Sequence, residues 1–471
     1  MAISRSLVID RARRWVGQSI PYSQSGWADL YGTIVESSTL GWRRDCSGFV
    51  SMAWNLPRPG ATTRTLQQYA TPIGKAALQP GDILVSYNNH TVIFGGWADA
   101  LHTAYYAYEM SSSVSRLTGS GTIMRVTPYP YWGNDTTYLP YRLDGITDNI
   151  DYSKYLTGVS GSNRYETAIA TSRVAFEDGS SPSVIIASGE NWPDALSASS
   201  LAGTVEGPIL LTRASSLPAG LTGEIARLGA TEAIIVGGPS AVSTDVAQAL
   251  GGVKGLTVKR IGGADRYETS RLIAEETTTR VKAAGGTPDP AAFITTGLNF
   301  PDALAASPIA YAKSRPILLT APNKLSEHTR MALDTSDVYD TIILGDTRAV
   351  SASVETSLTT LLGGGTHLRI SGANRYGTAR AVATYARMNG LSYENTVIAT
   401  GENFPDALAG GALAARLRTV LMLTPTKTLD AELSEMILAE PESFGKPYCL
   451  GSDAAIQPIV RESIALSLGA Q

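Results

Sequence analysis

The chain has little of what several protein classes require. Its 471 residues include two cysteines and four histidines. Cys46 and Cys449 lie far apart in sequence, so a disulfide framework is not expected, and no set of His, Cys and acidic residues follows the spacing of a zinc site. The net charge is -4 without any run of Lys or Arg, which argues against a nucleic-acid partner. No apolar window has the length of a membrane span, so no membrane insertion is expected. The N-terminal "MAISRSLVIDRARRWVGQ" reads as an amphipathic, Arg-bearing helix rather than an export signal. The glycine-rich "VGGPS" lacks the spacing of a nucleotide loop, and no motif calls for a cofactor.

What is present, first, is a repeat. "VSGSNRYETAIA" at 159 returns as "RIGGADRYETSRLIA" at 260 and "RISGANRYGTARAVA" at 369. A second block follows each: "IIASGENWPDALSAS", "FITTGLNFPDALAAS" and "VIATGENFPDALAGG". "GPILLT", "RPILLT" and "TVLMLT" come next, then "AIIVGGPSAVS", "TIILGDTRAVS" and "PYCLGSDAAIQ". Short apolar strands alternating with helical stretches predict parallel sheets covered on both faces. In the second block Pro193, Pro301 and Pro405, each followed by Asp, mark helix entries. Cys449 takes a strand position filled by Ile235 and Ile343, as a core residue would.

These blocks resemble the cell-wall-binding repeat type 2 family over about residues 157–471. The resemblance implies a Toprim-like α/β fold for each copy, a pseudo-threefold arrangement of the three, and attachment to an anionic cell-wall polymer. Arg164, Arg266 and Arg375 are the candidate polymer contacts. The alternative is that each arginine pairs internally with the Asp of its own or a neighbouring copy and fixes the trimer.

The second feature is "RRDCSGFVSMAW". Cys46, Phe49, Val50 and Ala53 share one helix face, with Asp45 as N-cap. A thiol in the first turn of a helix meets unpaired N–H groups that favour negative charge. A nucleophile of this kind needs a base, and His90 opens the strand "HTVIFGGW" shortly after the turn "PGD".

The order of "DCSGFV", then "LQPGDILV", then a strand-leading His resembles the NlpC/p60 family of papain-like cysteine peptidases over about residues 1–145. The resemblance implies an α+β papain-like domain that cleaves peptidoglycan stem peptides, with Cys46 as nucleophile and His90 as base. It places the Tyr22 hydroxyl and the Ser47 N–H beside the oxyanion, with Asp45 preceding the nucleophile. Two residues compete for the third catalytic position. His102 lies twelve residues after His90, at the expected distance; Glu109 lies on the evident next strand, on one face with Tyr105 and Ala107.

The expected organisation is a catalytic domain at 1–147 and repeats at 157–256, 257–366 and 367–471, joined by "TDNIDYSKYLTG". The expected protein is a peptidoglycan hydrolase of the bacterial cell wall, a secreted remodelling enzyme or a phage endolysin released through a separate pore. An amidase acting between muramic acid and alanine, and a non-catalytic anchored surface protein, are the alternatives.

Overall fold

The computed structural model describes residues 3–148, 151–363 and 365–469. Met1 and Ala2 of the expected first helix and Asn149 and Ile150 of the expected linker lie outside them. The chain separates into two compact units, one ending at Tyr152 and one running from Ser153 to Gly469.

In the first unit, helix α1 (Arg5–Val16) begins at Ser4, whose side chain accepts from the Leu7 N–H, and it buries Leu7, Val8, Ala12 and Trp15. Against it packs α2 (Cys46–Ala53), every residue of which is buried. A helix apolar all round belongs inside a core. Replacing Phe49 with Ala costs about 3–5 kcal/mol by the usual cavity effect.

Behind α2 lies a six-stranded antiparallel sheet: β1 (Ala70–Pro72), β2 (Ile83–Val85), β3 (Thr91–Trp97), β4 (Ala104–Met110), β5 (Thr122–Pro128) and β6 (Leu139–Leu143), in the order β1-β6-β2-β3-β4-β5. The "PGD" turn is anchored by Asp82, fully buried and held by Arg5 and Arg142. Such a carboxylate tolerates burial because both oxygens are paired.

The second unit contains three four-stranded sheets, each wholly parallel. The first is built from β8 (Ser183–Ser188), β9 (Ile209–Thr212), β10 (Glu232–Val236) and β11 (Thr257–Ile261), ordered β9-β8-β10-β11. β12 (Ala291–Thr296), β13 (Ile317–Thr320), β14 (Asp340–Leu344) and β15 (His367–Ile370) repeat it as β13-β12-β14-β15. The third sheet is completed by β7 (Thr157–Val159), from the start of the unit, beside β16 (Ser392–Thr400), β17 (Thr419–Thr424) and β18 (Tyr448–Leu450), ordered β7-β18-β16-β17.

Sheet boundaries therefore differ from sequence periods. The strand that opens each sequence copy, β11 or β15, hydrogen-bonds in the sheet of the copy before it, and β7 closes the circle. The helices follow the same rule. α3 (Arg164–Ala175) packs on α10 (Pro405–Arg416) of the third copy, and α6 (Arg266–Ala283) packs on α4 (Pro193–Ser197) and α5 (Ser199–Thr204) of the first. α9 (Arg375–Met388) packs on α7 (Pro301–Leu304) of the second. Helices α5, α8 (Ser307–Lys313) and α10 meet one another at the centre.

Candidate functional site

Asp45 caps α2, accepting from the Gly48 N–H at 2.6 Å and from the Ser47 hydroxyl at 3.1 Å. Its other oxygen takes the Arg43 Nε–H at 2.9 Å, so the cap is fixed from two sides. Gly48 is required here, because a Cβ would stand 2.1 Å from the Arg43 carbonyl oxygen. The result places Cys46 as the first residue of the helix, 6% exposed, among first-turn N–H groups that favour negative charge.

His90 immediately precedes β3, its carbonyl accepting from the Ser86 N–H at 2.9 Å. Its Nε2 lies 2.8 Å from Oε2 of Glu109, which is fully buried on β4. The ring also lies within electrostatic reach of Cys46. Burial alone would lower the His90 pKa, but the interactions with Cys46 and Glu109 outweigh it and raise it to about 9.

Glu109 has two further partners that sequence reading missed. Arg125 on β5 pairs with Oε1, and the Tyr131 hydroxyl donates to Oε2 at 2.8 Å. Burial would raise the carboxyl, yet His90, Arg125 and Tyr131 together hold it below the usual carboxylate range. The register explains Arg125: it stands opposite Ala107, diagonal to Glu109 on the same face, within reach of a long side chain. Tyr131 also packs at a tilt against His90, with ring centroids 5.8 Å apart, and stacks on Tyr138 at 4.2 Å.

The structure does not bring His102 to this cluster. It lies in a turn organised by Asp99, with φ 57, and stacks flat on Trp97 at 4.5 Å. Tyr22 is half-buried and within the electrostatic reach of Cys46 and Asp45; burial raises its pKa, opposed by a 3.4 Å bond from Gln24. Of the aromatics from Tyr105 to Trp132, Tyr105 is core, its hydroxyl donating to the Pro130 carbonyl at 3.1 Å, whereas Trp132 is 48% exposed above Arg125. Among the described residues no group of His, Cys, Asp and Glu is arranged to hold a metal ion.

In the second unit Arg164, Arg266 and Arg375 each donate to a glycine carbonyl of their own copy, Gly189, Gly297 and Gly401, at 2.6, 2.5 and 2.6 Å. Each also acts electrostatically on the half-buried Asp of the preceding copy: Arg266 on Asp194, Arg375 on Asp302 and Arg164 on Asp406. Burial raises all three carboxyls, Asp194 to about 6, and the arginine opposes the shift each time. Trp192, Phe300 and Phe404, the residues before each entry proline, bring the copies together, with centroids 6.1 Å apart for the first pair and 5.7 Å for the second. Arg266 lies over Trp192 and Arg164 over Phe404. The arginines are thus engaged in a ring that joins copy to copy. Arg375 also lines, with Asn299, Asp302, Arg348 and Asn374, a crevice of about 130 Å³ at the carboxyl ends of the strands, where α/β sheets commonly bind ligands.

Bacillus subtilis (strain 168) N-acetylmuramoyl-L-alanine amidase LytC is 30% identical over 318 residues, which is 66% of this chain and 60% of that protein. The amidase enhancer of the same organism is 28% identical over 325 residues, 69% of this chain and 41% of that protein. The chain therefore spans less than two thirds of either relative. Among solved structures, Cwp8 from Clostridium difficile superposes with a TM-score of 0.58 at 26% identity, covering 67% of this chain and 52% of that one. Cwp6 from the same organism gives 0.60 at 21% identity, covering 82% and 63%, a likeness of fold alone. The model of cell wall binding domain 2 (CWB2) matches residues 159–247, 260–355 and 369–461, more than half of the sequence, and the chain belongs to this family.

Proposed function

We propose that the protein is a peptidoglycan hydrolase whose first unit is a papain-like cysteine peptidase of the NlpC/p60 type, held on the cell wall by its three repeats. The observation that carries this reading is the bond of His90 to the buried Glu109, with Cys46 at the start of its helix within electrostatic reach of the same imidazole. The Cys46 proton passes to His90 Nδ1 as Sγ attacks the carbonyl carbon of a stem-peptide amide. The tetrahedral oxyanion is met by the Tyr22 hydroxyl and the Ser47 N–H, with Asp45 fixing the turn that carries both Cys46 and Ser47. Collapse breaks the C–N bond as His90 returns the proton to the departing amine. Water, deprotonated by His90, then cleaves the thioester and restores the thiol. Glu109 orients the imidazole, and Arg125 and Tyr131 hold Glu109.

The CWB2 repeats support attachment to an anionic wall polymer, which keeps the catalyst near its substrate at high local concentration. Arg164, Arg266 and Arg375 serve first to close the ring, and Arg375 additionally faces the strand-end crevice. The relative LytC favours a second reading, hydrolysis of the amide between muramic acid and L-alanine. Digestion of purified peptidoglycan by the full chain and by Cys46→Ala, with fragments identified by mass spectrometry, separates the two. A new amino terminus within the stem, absent from the variant digest, supports the peptidase. A new amino terminus on L-alanine supports the amidase. No fragments from either protein would overturn both and leave an anchoring protein.

A further inference from the structure

At the far end of the central helices the three copies stop agreeing. Helices α5 and α8 touch backbone to backbone there: a Cβ on Gly203 would stand 1.9 Å from the Tyr311 carbonyl oxygen. Beyond this contact opens a cavity of about 470 Å³ lined by all three copies. Gly203 and Glu206 come from the first, Tyr311 and Lys313 from the second, Arg416 and Arg418 from the third.

Three cations and one carboxylate line this cavity, in a chain whose net charge is -4. None of the cations is repeated. Aligning the copies on "GPILLT", "RPILLT" and "TVLMLT" sets Lys313 against Val205 and Leu417, Arg416 against Thr204 and Ala312, and Arg418 against Glu206 and Ser314. A residue present in all three copies is explained by shared architecture, whereas a charge present in one copy is not. Lys313 and Arg416 stand in the last turns of α8 and α10, where a cation suits the helix dipole, whereas Arg418 lies beyond its helix and α5 runs into Glu206, of the opposite sign.

A further observation points to a ligand. Tyr311, which the alignment sets against Gly203 and Ala415, lines the cavity, and its buried hydroxyl has no hydrogen-bond partner among the described residues. That is the state of a donor whose acceptor arrives with a ligand. Arg416 is held at the rim by the Phe176 ring, 5.3 Å from its guanidinium.

We propose that this axial pocket binds an anionic unit, a phosphate or carboxylate attached to a sugar or polyol, of the wall polymer on which the repeats dock. The proposal rests on the wall-binding reading above and gives it a second location, distinct from the strand-end crevice. The pocket exists only when three copies are joined.

The test uses the full chain and the variant Lys313→Ala/Arg418→Ala, both sites exposed, so the fold is retained and an unchanged Tm verifies it. Glycerol 3-phosphate and glucuronate are titrated by calorimetry, and both proteins are sedimented with Gram-positive walls, intact or stripped of phosphodiester polymer by hydrofluoric acid. Expected is binding of one probe by the native chain, weakened about tenfold in the variant, with a parallel loss in wall sedimentation. Preference for glycerol 3-phosphate and loss on stripped walls identify phosphate; preference for glucuronate on walls of either kind identifies carboxylate. Equal probe binding by the two proteins, or none by the native chain at millimolar concentration, overturns the pocket. A variant that sediments with walls as the native chain does overturns its role there while leaving wall binding intact. A native chain that ignores walls yet binds a probe through these residues sinks the wall reading and keeps the pocket.

Discussion

The two units spend polar residues in opposite ways. Around Cys46 each group occurs once and is used at short range: a thiol, an imidazole, a carboxylate and an arginine, set in series inside a core. In the repeats the most regular polar residues, three Arg and three Asp, occur in triplicate, each Arg within electrostatic reach of the Asp of the neighbouring copy. Repetition here follows the architecture of the copies, whereas the groups around Cys46 occur once.

The largest effect that tests this contrast is Cys46→Ala. It should abolish peptidoglycan cleavage, by at least about 10⁴-fold, while wall sedimentation is unchanged. Loss of both would mean that the two units do not divide the labour as described.

Glu109→Gln should lower kcat/KM by about 10²–10⁴-fold, with the thermal transition retained. Arg125→Gln should cost less, about tenfold, but with a signature in the pH profile. Removing the cation lets Glu109 take a proton at higher pH, and a protonated Glu109 no longer accepts from imidazolium His90. The acid limb of the profile should move upward. An unmoved limb would make Arg125 a packing residue only.

Gly203→Leu drives a side chain into the Tyr311 backbone and should destabilise the repeats by roughly 3 kcal/mol, seen as a lower transition for that unit alone. The first unit should melt where it did before.

pH separates the units further. His90 is raised from 6.5 to about 9, so its contribution is complete below about pH 6.5 and is lost as pH rises through about 9. Asp194 is raised from 3.8 to about 6, so its contribution is complete below about pH 3.8 and is lost as pH rises through about 6. Thermal melts of His90→Gln and Asp194→Asn against the native chain should converge or diverge in those two windows and not in each other's. The smallest effect is expected for His102→Ala, within twofold of native activity, since the ring stacks on Trp97 away from His90. A larger loss would return His102 to the site.

Much of this was legible in the sequence. The repeat blocks, the parallel strands and the cap at Asp45 all rest on local pattern. What stayed hidden depends on which strands become neighbours. The choice between His102 and Glu109 turned on a turn closed by Asp99, which absorbs the residues between Trp97 and Ala104. Arg125 and Tyr131 carry no local mark; they reach Glu109 through strand register and a returning loop. The period of the repeats was clear, but period does not reveal phase, and only the pairing of β11 and β15 with the preceding copies shows where each sheet ends.

Strand β7 gives this phase a temporal meaning. It leaves the ribosome before any other strand of its unit, and its partner β18 leaves last. Through the synthesis of three copies the nascent chain carries Val159, destined for 5% exposure, with no β18 to pair against. A chain cut short before Leu450 keeps β7 unpaired and lacks the central strand of its third sheet, an open edge of the kind that proteases and aggregation exploit. The circular seam makes the last strand of the unit a condition for pairing its first.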